Sequence, residues 1–259
     1  MNQTELTELL SELPLGGIRY FDSIGSTNDE ALSWASDDAD DLSLVVADEQ
    51  TLGRGRHDRK WFTPPGTALA FSLILHPTPS EKSFLSRTVG LAALALSNVL
   101  QPLGLNPQIK WPNDILLSGR KLAGILIEAT WADDEVNNMV IGMGINISQR
   151  AVPSTDILNF PGTSLEVALG YVPDRWTFLR DLVANIIVLR PYIGTDSFLS
   201  SWEKKLAYYG RQVRVELGGD QTVSGKVTGL ESDGSLKLLD DNGKSVAVRF
   251  GDVRLRPFA

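Results

Sequence analysis

The end of this chain alternates. From Val213 onward the runs VRVEL, VSGKVTGL, SLKLL and SVAVRF follow one another, separated by Gly218-Gly219, Asp233-Gly234 and Asn242-Gly243. Period-two alternation broken by such turn pairs is the pattern of short strands, so this end reads as a small all-β barrel. A unit of about 50 residues is marginal by itself, which predicts that it packs on the larger segment before it. The change of texture falls near Tyr209 and divides the chain into residues 1–208 and 209–259.

The larger segment mixes both periodicities. Ser26 and Thr27 stand where they can cap a helix carrying Leu32 and Trp34, and residues 44–47 form a short buried strand. The apolar run TALAFSLIL predicts a second strand, VGLAALALSNVL a buried helix, and NMVIGMGINI a further strand. IKWPNDILL and KLAGILIEAT, joined by Ser118-Gly119-Arg120, read as a β-hairpin. In PDRWTFLRDLVANIIVLRPY helical spacing returns, with Asp174 as its cap. The acidic cluster DDADD at 37–41 is read as a solvated surface loop.

Charge and composition narrow the function. Lys and Arg number 24 against 32 Asp and Glu, a formal net of −8, so the molecule as a whole repels nucleic acid and anionic membrane. Any anion it binds must meet a local cluster of cations. With no cysteine and two histidines, thiol nucleophiles and thiolate zinc sites are excluded and a histidine metal site is poorly supplied. MNQTELTELLSEL lacks the basic start and apolar core of a secretion signal, and no later apolar run approaches the ~20 residues that span a bilayer. A cytoplasmic protein is expected.

Two segments could carry chemistry. Between Gly53 and Trp61 four cations, Arg54, Arg56, Arg59 and Lys60, are interleaved with Gly53 and Gly55. Glycine lets the backbone turn so that amides can cradle an anion, and arginine supplies forked donors to carboxylate or phosphate. A solvated loop would have the same composition. Lys110-Trp111-Pro112-Asn113-Asp114 places a lysine at a strand end before a restricted turn, which would hold the ammonium still. It could equally be a strand end with an ordinary Asn-Asp turn, Asp114 then being a turn cap rather than a metal ligand or a cation's partner. The spacing of a phosphate-binding GxxxxGK loop is missing, GMGINI lacks the third glycine of a dinucleotide fingerprint, and neither His57 nor His76 has the partners of a hydrolase triad.

Taken together, SIGSTNDEA, ADEQTLGRGRHDRKWFTPPGTALAFS, IKWPNDILLSGRKLAGILIEAT and VIGMGINI, in that order and ahead of a small β unit, resemble biotin protein ligases over nearly the whole chain. The resemblance implies an α+β fold: a class II aminoacyl-tRNA synthetase-like catalytic domain, with a mixed sheet and flanking helices, and an SH3-like C-terminal domain. It implies ATP and biotin as substrates, magnesium with the ATP, biotinyl-5′-AMP as intermediate, and a biotin carboxyl carrier domain as acceptor. Two clustered anions are what the cations would serve.

By the same resemblance Ser26, Thr27, Asn28 and Gln50 address biotin, with Arg54, Gly55, Arg56, Trp61, Lys110, Gly124, Gly142 and Gly144; the three glycines let backbone approach its ring system. Arg54, Arg56, Arg59, Lys110 and Asn146 bind ATP or the adenylate. Lys110 and Arg56 are the expected catalytic residues, and no residue is assigned to a resident metal. The loop departs from the commonest family form in reading His57-Asp58 where a basic residue and a glycine are frequent. About 20 residues precede the STN segment, too few for the DNA-binding domain of many bacterial relatives, so no DNA partner is expected and none in the membrane; a homodimer is left open. Lipoate or octanoate ligation and a catalytically idle sensor are the competing readings.

Overall fold

The computed structural model describes residues 1–57, 59–154, 160–218, 221–249 and 256–257 of the 259. Asp58 of the basic loop, Gly219 and Phe250 lie outside them.

Two sheets make the fold. The larger has seven strands in the order β1-β2-β3-β7-β6-β5-β4. β1 (Ile18–Ile24) and β2 (Leu44–Gln50) run parallel, joined by helix α2 (Thr27–Ser36), because a parallel pair needs a crossover. The other neighbours are antiparallel: β3 (Ala68–Leu75), β4 (Pro107–Lys110), β5 (Asp114–Leu117), β6 (Arg120–Ala132) and β7 (Glu135–Asn146). IKWPNDILL is therefore two strands with a tight turn between them, not one arm of a hairpin. Every residue of β3 is buried, since helices cover both faces of the sheet at its centre.

Alternation sorts the side chains between those faces. Val45, Ile74 and Val140 pack with Ala31 and Ala35 of α2. Leu44, Val46, Phe71, Leu73 and Ile141 join the main core with α3 (Thr88–Leu100) and α5 (Arg175–Leu189). The Ala/Leu run of α3 is buried nearly all round, as a helix sandwiched between the sheet and α5 must be. With its flanking 3-10 turns this helical stretch, Lys82–Leu103, has the length and composition of a membrane span, contrary to the expectation of no such run; most of it is inside the fold. At the N-terminus α1 (Gln3–Leu9) is closed by a capping box between Asn2 and Glu5 and buries Leu6 in the core. The acidic cluster is not wholly solvated. Asp41 accepts two hydrogen bonds from Arg190, whose buried guanidinium also pairs with Glu81.

The smaller sheet is five-stranded and antiparallel, in the order β11-β10-β9-β8-β12: β8 (Gln212–Gly218), β9 (Gln221–Leu230), β10 (Leu236–Leu239), β11 (Ser245–Val248) and β12 (Arg256–Pro257). It follows α4 (Leu165–Leu169) and α6 (Asp196–Glu203), and the connecting chain pairs on the way: Ile109 donates to the Lys205 carbonyl and accepts from the Ala207 amide, covering the free edge of β4. The turn between β9 and β10 is fastened to the larger body. Arg87 donates to the carbonyls of Ser232 and Ile193, Ser86 to that of Asp233, and Trp111 Nε1 to that of Gly234 at 2.8 Å. Gly234 has φ +83°, and a Cβ there would press on the ring of Trp202, so the Asp-Gly pair serves docking as well as turning.

This fastening can be measured. Trp111→Phe keeps an aromatic side chain but leaves the buried Gly234 carbonyl without its donor and a gap where part of the indole lay, at a cost of about 1–3 kcal/mol. Urea unfolding should show a lower midpoint, the shift multiplied by the slope giving that loss; an unchanged midpoint would mean that neither the bond nor the indole's packing adds to stability.

Candidate functional site

One face of the large sheet carries the site, and β7 shows why. Met143 and Ile145 point into the core, so Gly142, Gly144 and Asn146 point to the opposite face, together with Gly124, Leu126 and Glu128 of β6 and Ser72 of β3. A cleft of about 470 Å³ opens over this face, and every residue that the family resemblance assigned to biotin or nucleotide lines it.

At one end the polar side chains hold one another. Gln50 Oε1 accepts from the amide and hydroxyl of Thr27, at 2.8 and 3.0 Å. The start of α2 is thus capped from β2, and the Ser26 side chain makes no cap bond. Ser72 Oγ reaches Thr27 Oγ1 at 2.9 Å and Asn28 Oδ1 at 2.6 Å, while Asn28 Nδ2 donates to Glu128 at 2.8 Å. Glu128 in turn receives a two-pronged pair from Arg54 at 2.8 and 3.0 Å, and Asp29 lies 2.6 Å from the same guanidinium. Burial disfavours the Arg54 charge, but its bonds to Glu128 and Asp29 together more than offset that and push its pKa above the ordinary arginine value. Arg54 therefore ties the basic loop to α2 and β6, and a ligand would meet it already engaged. Glu128 and Asp29 are members of this network that sequence reasoning missed.

The basic segment is a short ribbon. Trp61 donates its amide to the Gly53 carbonyl at 2.8 Å and Gly55 donates to Arg59 at 2.6 Å, so these two amides are not an anion cradle. Arg56, Arg59 and Lys60 stand on the cleft wall. The ribbon brings Trp61 down over β6 and β7. A Cβ on Gly144 would overlap the indole, one on Gly124 would lie 3.2 Å from it, and one on Gly142 would overlap Asn28 Oδ1. The glycines are needed first for protein side chains that form the cleft floor. Trp61 Nε1 is buried there against Gly144 without a hydrogen-bond partner.

At the other end is a cation cluster. Asp114 accepts from Lys110 through Oδ2 at 3.1 Å and pairs with Lys121 through Oδ1 at 2.6 Å. Burial raises the cost of charging Asp114, yet the Lys121 and Lys110 ammoniums hold its carboxyl below the usual carboxylate range. Asn113 grips β6 by bonding the Ile125 carbonyl at 2.7 Å, which fixes the turn beside Lys110. Asn146 donates to Thr163 at 2.9 Å. Lys121 was not foreseen as a site residue; the KLAGIL motif drew attention for its pattern rather than its lysine.

A glycine-floored cleft with the polar side chains of α2 and β2 at one end, and paired ammoniums beside an aromatic wall at the other, suits an apolar ring bearing an anionic group. Comparison with known proteins agrees. Residues 20–146 match the Biotin/lipoate A/B protein ligase family and residues 208–256 the Biotin protein ligase C terminal domain. The bifunctional ligase/repressor BirA of Bacillus subtilis is 33% identical over 91% of this chain and 73% of its own length. The biotin--[acetyl-CoA-carboxylase] ligase of Mycobacterium tuberculosis is 34% identical over 88% of this chain and 85% of its own. Among solved structures, biotin protein ligase from Aquifex aeolicus in complex with biotin and ATP superposes with a TM-score of 0.79 at 28% identity, covering 93% of this chain and 99% of that one. This chain belongs to the biotin/lipoate A/B protein ligase family.

Proposed function

We propose that the chain is a biotin protein ligase, which joins biotin to ATP as biotinyl-5′-AMP and passes the biotinyl group to a lysine of a biotin carboxyl carrier domain. In the first step a biotin carboxylate oxygen bonds to the α-phosphorus and pyrophosphate leaves. In the second the neutral carrier amine attacks the acyl carbon, an amide forms as the amine gives up a proton to solvent, and AMP departs with the electron pair of the broken bond. No enzyme nucleophile is needed. The work is to hold two anions together and stabilise the charge that develops at phosphorus.

The observation that carries this reading is the Lys110–Asp114–Lys121 cluster beside the Trp61 ring over a glycine floor. In the proposed arrangement the biotin rings lie against Trp61 and Asn28, which Gly124, Gly142 and Gly144 leave room to seat, near Ser26, Thr27 and Gln50. Lys110 contacts the carboxylate and the α-phosphate. Arg56 and Arg59, with Gly55 between the arginines of the ribbon, retain the adenylate, and Asn146 stands near the nucleotide. Arg54 acts by anchoring the loop through Glu128. Among the described residues no group of three or more His, Asp or Glu side chains could hold a metal. Magnesium would accompany the ATP phosphates and neutralise the leaving pyrophosphate.

The reading includes a boundary between residues 208 and 209, with the cleft in the first part. It includes a cytoplasmic location and no DNA partner, in line with the net charge of −8; whether two copies pair is a question for sedimentation. ATP–pyrophosphate exchange with biotin, octanoate or lipoate offered separately tests the function. Biotin-dependent exchange is expected. Exchange driven only by octanoate or lipoate, or none at all, would overturn it.

A further inference from the structure

Arg54 ties the basic ribbon near its start, and a different pair ties its return to the sheet. The backbone ladder between β2 and β3 runs as far as Ala47 and Ala70 and stops there. Beyond that point two side chains do the joining. Asp48 Oδ1 accepts from the Gly66 amide at 3.2 Å and forms an ion pair with Arg175, which donates to the Ala68 carbonyl at 3.2 Å. Arg175 is the first residue of α5, where the helix dipole disfavours a cation, and the Asp48 carboxylate offsets that penalty. Its guanidinium also lies over the Trp176 ring, 4.3 Å from the centroid, so it has little freedom to turn elsewhere.

Gly66 is the joint that this pair controls. Its φ is +73°, it is exposed, and no atom lies within 4 Å of the place a Cβ would take. Before it stand Pro64 and Pro65, whose rings fix φ and make a stiff arm. The arm leads through Thr63, which pairs with Gln50, to Trp61 over the glycines of β6 and β7. After the joint the chain is fixed: Thr67 accepts from the amides of Ile147 and Ser148, and Ala68 pairs with Asn146. A rotation at Gly66 therefore moves the ribbon and leaves the sheet where it is.

We propose that Asp48 and Arg175 form a latch on the Gly66 joint, and that Asp48 is a positioning residue that holds Trp61 and the basic ribbon down over the cleft so that the adenylate is retained. The inference rests on the ligase reading and deepens it. Neither Asp48 nor Arg175 is among the residues that line the cleft, so both act through Gly66 and the segment before it. An ion pair that only tied α5 to the sheet would leave the Gly66 amide to solvent.

The test uses the full chain as wild type, Asp48→Ala and Asp48→Asn. Asparagine keeps an oxygen for the Gly66 amide and loses the charge that Arg175 meets, whereas alanine loses both. In ligand-free protein the amides of Gly55 and Trp61, both bonded within the ribbon, should exchange with deuterium on the order of 10-fold faster in Asp48→Ala and by a smaller factor in Asp48→Asn, since a two-stranded ribbon off the sheet is unstable alone. With biotin and ATP but no carrier, biotinyl-5′-AMP should escape into solution faster by on the order of the same 10-fold, because a segment closed less often retains its ligand in proportion. Unchanged exchange and release in both variants would overturn the proposal, as would a lower melting temperature with neither altered, or faster exchange without faster release. Where circular dichroism shows the alanine variant unfolded, the asparagine variant decides: faster exchange and release support the latch, and wild-type values overturn it. A wild type that forms no biotin-dependent adenylate would overturn the ligase reading beneath, while deuterium exchange would still show whether Asp48 holds the ribbon.

Discussion

Lys110→Ala should lower biotin-dependent pyrophosphate exchange by on the order of 10²- to 10³-fold, the usual loss when one preorganised stabiliser of developing charge is removed. The fold should survive. Asp114 keeps its Lys121 partner at 2.6 Å, so the buried carboxylate is not left alone with its charge. Loss of exchange with an unchanged melting temperature is therefore the expected pair of results. Undiminished exchange would remove Lys110 from the chemistry, and a collapse in stability would make its role structural.

Gly142→Ala is expected to be nearly as damaging, for a reason that lies in packing. The new methyl would overlap Asn28 Oδ1, and Asn28 has little room to yield because Ser72 and Glu128 hold its two ends. Displacing it disturbs the start of α2 and, through Glu128, the anchor of Arg54 and the basic loop. Overpacking of this kind costs about 1–3 kcal/mol of stability. A displacement of about 1 Å at a positioned group can cost about 10²-fold in rate. Exchange kinetics should show the loss mainly as a raised KM for biotin. A variant with wild-type KM and melting temperature would show that Asn28 moves freely and that the glycine is not needed for it.

The two substitutions differ in what the sequence says about them. Lys110 stands out because a lysine before Trp-Pro-Asn-Asp ends a strand and belongs to a recognisable run of motifs. Gly142 also stands out, but with a different meaning: the alternation in GMGINI announces a glycine face, and only the packed sheet shows that Asn28 and Trp61 fill it. Arg54 is a similar case. Its place in a cation-rich loop marks it as anion-binding, whereas its guanidinium is engaged by Glu128 and Asp29, 74 residues along the chain in the first case. No local pattern signals that pairing.

The C-terminal sheet was legible almost strand for strand because its turn pairs and period-two alternation are written within a few residues of one another. The helices α3 and α5 were legible through composition and capping. The N-terminal helix α1 was not singled out, although Asn2 and Glu5 stand three apart as a capping box requires.

By itself, then, the sequence determined where most of the strands and the main helices lie, since alternation and capping are local, while the cleft residues it named came from a run of motifs that resembles a family. Tertiary structure decided where Lys121 points, what Arg54 holds and why Asp41 is not merely solvated. Each of these depends on pairing across the chain: a one-residue shift between β5 and β6, a carboxylate on β6, an arginine 149 positions beyond Asp41. A register shift reverses a side chain's face at little local cost, and an ion pair forms wherever two strands or helices happen to be brought within reach, so neither leaves a periodic trace in the sequence.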